Sequence, residues 1–379
     1  MANTRSVLRN VQGLRAIAAS LVVFMHMQLP RNGIDIFPQP ILGIFNEFGG
    51  IGVDIFFAIS GFIMIVSNWS AFQAPDSGFK FFVHRVIRIY PAYWLSIVPV
   101  LLIFLVARDR VMTGHVAGKT DLLASFLLYP QPVQHVLLPV SWTLVFEMSF
   151  YVIFALMLCF NRKYLIPFLA VWFSIQVGLF ALFDSSANLY LKYLATALPI
   201  EFIFGVVIGI FYMKKSMPLA TVTLLAGAAG IGAVWLATVA LHHTPFSSSM
   251  GRVLFFGIPS AFVLYGMVAL ETKGTWIAPL WLVGLGDASY AIYLWHFSLI
   301  SVLRQVVLKL HLHGRIAEVT LILLSFAGIT IFSLLVYRLF EKPVTKFLNP
   351  QFARLWMREP RDGVQPSIGR IMKGADERG

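Results

Sequence analysis

Arg15 and His26 stand eleven positions apart in NVQGLRAIAASLVVFMHMQLP, an apolar stretch in which ionisable side chains are costly. At 100° per residue, eleven steps return to within about 20° of the starting direction, so both side chains leave one face of a helix, about 16 Å apart along its axis. A base that titrates near neutrality and a permanently charged guanidinium therefore share one stripe. Asp54 in GGIGVDIFFAISGF and Glu147 in SWTLVFEMSFY each fall a turn or two inside the outer end of an apolar segment, at the expected depth of His26. A carboxylate that accepts one imidazole N–H fixes the ring's tautomer and raises its basicity, which suits a general base. Arg85 and Arg88 in HRVIRIYPAYW are three residues apart, so their guanidinium forks can converge on one anion, with Lys80 and His84 just upstream. Taken singly, each group has a plain alternative: a snorkelling arginine, an interfacial carboxylate or an ordinary flanking charge. Together they describe a cationic inner mouth facing an acid–base cluster about three helical turns away.

The elements that must position these groups are membrane helices. Hydrophobic residues make up 58% of the 379, charged residues only 12%, and there are 34 Phe, a composition foreign to a water-soluble monomer. At about 20 apolar residues per span, the sequence predicts about ten spans. They fall near 11–30, 47–67, 86–107, 141–160, 164–183, 190–213, 218–240, 252–270, 281–303 and 317–338. The fold class expected is all-α and polytopic. The first span lacks a small-residue cleavage site and reads as a retained anchor. Cys159 is the one cysteine, so no disulfide framework or cysteine metal site is expected, and no metal site is assigned.

Lys and Arg concentrate in the segments that become cytoplasmic when the amino terminus is inside, including Arg162, Lys163, Lys214, Lys215 and the run from Arg338 onward. With an even number of spans, both termini are expected in the cytoplasm. The same asymmetry accounts for the net charge of +12 without nucleic acid as a partner. Residues 1–345 read as the membrane domain and 346–379 as a basic tail attracted to anionic lipid. The segment from Arg108 to Pro139 is the longest expected external loop. His242, His243, His311 and His313 fall in external loops without an accompanying carboxylate cluster. His296 lies in mid-span, either lining the channel or bonding a neighbouring helix.

A polarised channel of this kind suits a long ligand with a phosphate-bearing inner end and a reactive tip, and acetyl-CoA has that shape. His26 could then remove the proton from an acceptor hydroxyl that attacks the thioester. Several blocks in order carry a resemblance. The Arg-x10-His of the first span, GVDIFFAISGFIM at 52–64, Arg85-x-x-Arg88, SWTLVFEMSFY at 141–151, SYAIYLWH at 289–296 and Glu341-Lys342-Pro343 are similar to motifs of the acyltransferase-3 family of integral-membrane O-acyltransferases. Thr143 stands where that family's Trp-Ser-Leu-x-x-Glu segment has serine.

The resemblance implies ten spans in a bacterial inner membrane, with acetyl-CoA as acyl donor. It also implies transfer to carbohydrate at the cell surface: exopolysaccharide, lipopolysaccharide O-antigen or a lipid-linked oligosaccharide. It assigns functional roles to Arg15, His26, Arg85, Arg88 and Glu147, and extends them to Asp54 and Ser60. Tyr151 falls in the Glu147 block and is taken with Ser60 as a substrate contact, and Trp142 as a sugar-stacking candidate. No appended esterase-like domain is expected after the last span, which points to the single-domain, exopolysaccharide-modifying branch. Two rivals stand beside this reading. A secondary transporter would place ionisable groups at midplane but pair broken helices in matching halves. A haem protein would use His26 and His296 as axial ligands.

Overall fold

A computed structural model describes residues 8–27, 48–74, 76–106, 121–131, 135–241, 243, 248–310 and 315–356. Among them there is no strand. In chain order the helices are α1 (Arg9–Met27), α2 (Ile51–Ser67), α3 (Ser77–Val106), α4 (Leu122–Leu127), α5 (Trp142–Leu158), α6 (Leu165–Phe183) and α7 (Leu189–Leu194). They continue as α8 (Pro199–Met213), α9 (Ala220–Leu241), α10 (Ser249–Thr272), α11 (Leu280–Asp287), α12 (Ser289–Leu310), α13 (Arg315–Val336) and α14 (Lys342–Trp356). Eight helical stretches are long and apolar enough to cross a membrane. The chain is a polytopic, all-helical membrane protein, as its composition requires.

Two of the expected spans fall outside those eight, for a reason that bears on function. α1 carries Arg9, Asn10, Gln12 and Arg15 in its first two turns. The apolar part of α12 is shorter, Ser289–Leu303. Both helices are central: α1 packs against α2, α10, α11 and α12. In α1 the buried Asn10 and Arg15 face protein, where Met267 of α10 and Ser289 of α12 accept their hydrogen bonds and offset the cost of placing them in a membrane.

The spans expected at 190–213 and 281–303 are each broken. Pro199 starts α8, where its missing N–H is harmless, and the chain between α7 and α8 is irregular. Gln176 of α6 donates its amide to the carbonyls of Leu194 (3.1 Å) and Thr196 (2.5 Å), so this break is not left unsatisfied in the membrane. The second break falls at Ala288, and Ser289 begins α12 beside Arg15. α3 begins nine residues before the span expected at 86–107, which carries Arg85 and Arg88 more than two turns into a helix rather than leaving them at its start.

Glycines set the closest approaches. A Cβ on Gly205 of α8 would lie 1.9 Å from the carbonyl oxygen of Ala58, and one on Gly61 of α2 would lie 2.2 Å from that of Phe202. The two backbones pack without intervening side chains, the usual role of small residues between membrane helices. The first turn of α1 is held from outside: the Glu271 carboxylate accepts from the backbone N–H groups of Arg9 and Asn10, both at 2.7 Å. Asn10 donates to the carbonyls of Met267 and Trp276 and accepts from Ala278 N–H. A carboxylate at a helix amino terminus satisfies its orphan donors and complements its dipole.

At the other end, α13 passes through a π-helical turn, Tyr337–Glu341, directly into α14. The helix runs across the expected 345/346 boundary as far as Trp356, and its Phe352 packs on Phe79 and His84 of α3. Much of the Arg108–Pro139 loop, together with His242, His311, His313 and most of the 346–379 tail, lies outside the described residues.

Candidate active site

The ionisable groups expected to share the outer half are separated into three clusters. His26, half-buried, meets His296 of α12, which is fully buried: His296 Nε2 lies 3.3 Å from His26 Nδ1, with ring centroids 4.9 Å apart. Each Nδ1 also contacts a carbonyl of its own helix, His26 to Val22 at 2.9 Å and His296 to Tyr293 at 2.7 Å. Carbonyl oxygen only accepts, so both Nδ1 atoms carry hydrogen. The Nδ1–H of His26 is then shared between the Val22 carbonyl and the Nε2 of His296. Among the described residues the imidazole of His296 lies against His26, while Asp54 and Glu147, the carboxylates expected at its depth, bond other groups.

Asp54 is paired elsewhere. Arg252 of α10 grips it with two bonds, Nε to Oδ1 at 2.9 Å and Nη2 to Oδ2 at 2.8 Å, and also donates to the Gly50 carbonyl at 2.8 Å. Asp54 is completely buried. Glu201 of α8 is equally buried, with Asp54 and Arg252 as its charged neighbours. A π-helical turn, Val253–Gly257, follows Arg252, and Gly257 leaves room for the Glu201 carboxylate. Nothing in a linear pattern pairs residues 54 and 252.

Glu147 belongs to the cationic cluster. It accepts hydrogen bonds from Tyr151 Oη, one turn on, and from Ser60 Oγ of α2 at 3.3 Å. Arg15, Arg85, Arg88, Ser60, Glu147, Tyr151, Ser289 and Tyr293 line one narrow cavity of about 80 Å³. Arg15 is 8% exposed and donates Nε to Ser289 Oγ at 3.1 Å. The charges acting on its guanidinium are Arg88, Glu341, Glu147 and Asp287. Arg85 lies over the rings of Phe81 and Tyr151, 5.2 and 5.4 Å from their centroids. Three guanidinium groups in one low-dielectric cavity form a strong anion site, with Glu147 offsetting part of their charge.

Toward the amino terminus of α1 the narrow cavity shares Arg15, Ile63 and Arg88 with a vestibule of about 1170 Å³. At its other end the walls include Val53, Phe56 and Tyr293. His26 lines neither the narrow cavity nor the vestibule, whereas Arg15 lines both, so the two ends of the helix stripe belong to different surroundings. Tyr293 is the link: it lines the cavity, and its ring is 5.7 Å from that of His296. Its hydroxyl donates to the Val140 carbonyl at 2.9 Å and accepts from Thr143 Oγ1 at 2.7 Å, which locks the ring in place. Trp142 lies outside both cavities, edge-on to Phe146.

Comparison with known proteins agrees with this architecture. The chain is 32% identical over 314 residues to the exopolysaccharide production protein ExoZ of Rhizobium meliloti (strain 1021), covering 79% of this chain and 90% of that one. It is 27% identical over 324 residues to the acyltransferase MdmB of Streptomyces mycarofaciens, covering 77% and 79% of the two chains. A Staphylococcus aureus (strain COL) protein provisionally named an O-acetyltransferase is 25% identical over 386 residues; the match takes in 91% of this chain but only 60% of that protein. No solved structure matches. The family model Acyl_transf_3, described as an acyltransferase domain, matches residues 8–338, which hold all three ionisable clusters; the chain belongs to that acyltransferase family.

Proposed function

We propose that this acyltransferase moves an acyl group, acetyl in our reading, from acyl-CoA on the cytoplasmic side of a bacterial inner membrane to a hydroxyl of a surface carbohydrate. Both termini are cytoplasmic in this scheme. Exopolysaccharide is the acceptor class that the likeness to ExoZ favours. The observation that carries the reading is the polarity of the molecule, with three guanidinium groups around one cavity and an imidazole pair nearer the other end of α1.

In the reaction, the acceptor hydroxyl gives its proton to His26 Nε2 as its oxygen attacks the thioester carbonyl. The carbon–sulfur bond then breaks, and the departing thiolate takes up the proton held by the His26 imidazolium and leaves as free thiol, returning His26 to its starting state. As His26 becomes an imidazolium, its Nδ1–H, shared between the Val22 carbonyl and the Nε2 of His296, steadies the charge. His296 is a positioning residue. Arg15, Arg85 and Arg88 hold donor phosphate oxygens, and Ser60, Glu147 and Tyr151 line the donor's path. Asp54, locked to Arg252, supports the α2–α10 contact rather than touching the reacting atoms.

Among the described residues both helix breaks fall in the second half of the chain and form no matching pair across two repeats, which lends a transporter little support. The test is purified protein given acetyl-CoA and polysaccharide. Thiol release that depends on acceptor, with a gain of about 42 Da per acetylated sugar, supports acyl transfer; solute uptake without thiol release would overturn it.

A further inference from the structure

A separate basic cleft of about 560 Å³ lies where α2 and α8 end and α6 begins. It shares no lining residue with the narrow cavity or the vestibule. Arg162, Lys163 and Lys214 line it beside Trp69, and none of its lining residues is acidic. Cations gathered in a concave site without a counter-charge raise the local potential and favour an anion.

Flanking charges of membrane helices usually trail into water, but here the wall is built. The Arg162 guanidinium lies over the Trp69 ring, 4.5 Å from its centroid, and Nη1 donates to the Trp69 carbonyl at 3.1 Å. That contact holds the fork in place and leaves its other N–H groups for a ligand. Asn161 accepts from the Lys163 N–H at 2.9 Å and donates to Gln73 Oε1 at 2.7 Å. The Gln73 N–H in turn bonds the Leu158 carbonyl at 3.0 Å. The α2–α3 and α5–α6 connections are thereby fastened together under the cations.

The surroundings select the anion. Membrane-crossing stretches end or begin on every side of the cleft, at Ser67, Ser77, Leu158, Arg162 and Met213, so it lies at the edge of the apolar layer. Its apolar wall, Leu165, Ile166 and Ile210, continues along α6, where Ile166 and Phe173 stand exposed seven residues apart on one face. A soluble phosphate would gain nothing from that wall, whereas a phospholipid uses both parts: its phosphate on the cations and its acyl chains along α6. A choline headgroup would add a cation to a cleft that already holds three; a glycerol headgroup brings hydroxyls instead. We infer that this cleft binds an anionic phospholipid, phosphatidylglycerol, with Arg162, Lys163 and Lys214 on its phosphate. Bound there, the lipid braces the end of α2, the helix that carries Ser60 into the narrow cavity.

Native mass spectrometry of the full chain, with phosphatidylglycerol and phosphatidylcholine supplied equally, tests this together with melting temperature in each lipid and in inorganic phosphate. The wild type should retain phosphatidylglycerol preferentially and melt higher with it, since a ligand that binds only the folded state stabilises that state. Lys163→Gln and Lys214→Gln, at exposed positions, should each lower retention about fivefold and leave the lipid-free melting temperature unchanged. Lys273→Gln, at an exposed position outside the cleft, should change neither. Equal retention of the two lipids by the wild type would overturn the inference. So would full retention in both cleft variants, an equal loss in Lys273→Gln, or the same melting shift with inorganic phosphate. The wild-type comparison decides the matter even where a substituted chain fails to fold.

Discussion

His26 Nδ1 and His296 Nε2 lie 3.3 Å apart on two helices, and the carbonyls of Val22 and Tyr293 fix which nitrogen of each ring holds hydrogen. Under the proposed mechanism the pair orients His26 as its general base. His26→Ala should abolish transfer, a loss of about 10²–10⁴-fold or more, while donor binding survives. His296→Ala should lower kcat with both KM values nearly unchanged, and His296→Gln, whose carbonyl can accept the same N–H, should recover part of the loss. Full activity of His296→Ala would show that the pair has no part in proton transfer.

Arg85 and Arg88 enter the cavity from one face of α3, Arg85 stacked on aromatic rings and Arg88 shared with the vestibule. Arg88→Ala should raise the acetyl-CoA KM by about tenfold and flatten its dependence on salt, since one charge-assisted contact to phosphate is lost. Arg88→Lys should recover less than half of that, because an ammonium cannot make the paired contact of a guanidinium. Unchanged donor KM in Arg88→Ala would remove it from the donor site.

How far the site can be read from the sequence varies by residue. The Arg15–His26 stripe and the Arg85–Arg88 pair are local, since helical periodicity alone decides which side chains share a face. Composition likewise dictates an all-helical membrane fold. Partner choice is not local. Glu147 and His26 fall at similar estimated depths, yet Glu147 joins Arg15 and Arg85 while His26 joins His296, because inter-helix register is set by close backbone contacts at Gly61, Gly205 and Gly286. Apolar patterning says little about such contacts. The break at Ala288 is equally hidden, having no proline to mark it, and the eight-residue helix before it ends on the charged Asp287. Gly284, Gly286 and the charged Asp287, two residues before Ser289 in an apolar run, were the available signals.

The Asp54–Arg252 bridge makes a stability prediction. Arg252→Ala strands a fully buried carboxylate and should cost about 3–5 kcal/mol, seen as a lower melting temperature in detergent. Asp54→Asn combined with Arg252→Gln should cost clearly less than the two single changes added together. Strict additivity would mean that the pair carries no coupling energy.

Gly205 supplies a packing test with an internal control. Gly205→Ala places a methyl group 1.9 Å from the Ala58 carbonyl oxygen and should force α2 and α8 apart, while Gly178→Ala, with nothing within 4 Å, should leave stability and activity intact. Because α2 carries Ser60 into the narrow cavity, Gly205→Ala should also weaken acyl transfer in whatever fraction still folds. Equal behaviour of the two alanine variants would refute the close α2–α8 contact.

Phe56 and Tyr293 meet edge to face, 6.1 Å between centroids, where the narrow cavity stops short of the imidazole pair. If the acyl end of the donor must pass this point to reach His26, these rings separate the thioester from water until acceptor arrives. Tyr293 is held at its hydroxyl by Val140 and Thr143, whereas Phe56 is held by apolar packing alone. Phe56→Ala should therefore raise acetyl-CoA hydrolysis in the absence of polysaccharide, relative to acceptor-dependent transfer. Phe56→Leu, which refills most of the volume, should restore the wild-type ratio. Thiol release measured with and without acceptor decides the matter: a Phe56→Ala enzyme as tightly coupled as wild type would mean that the donor reaches His26 by another path.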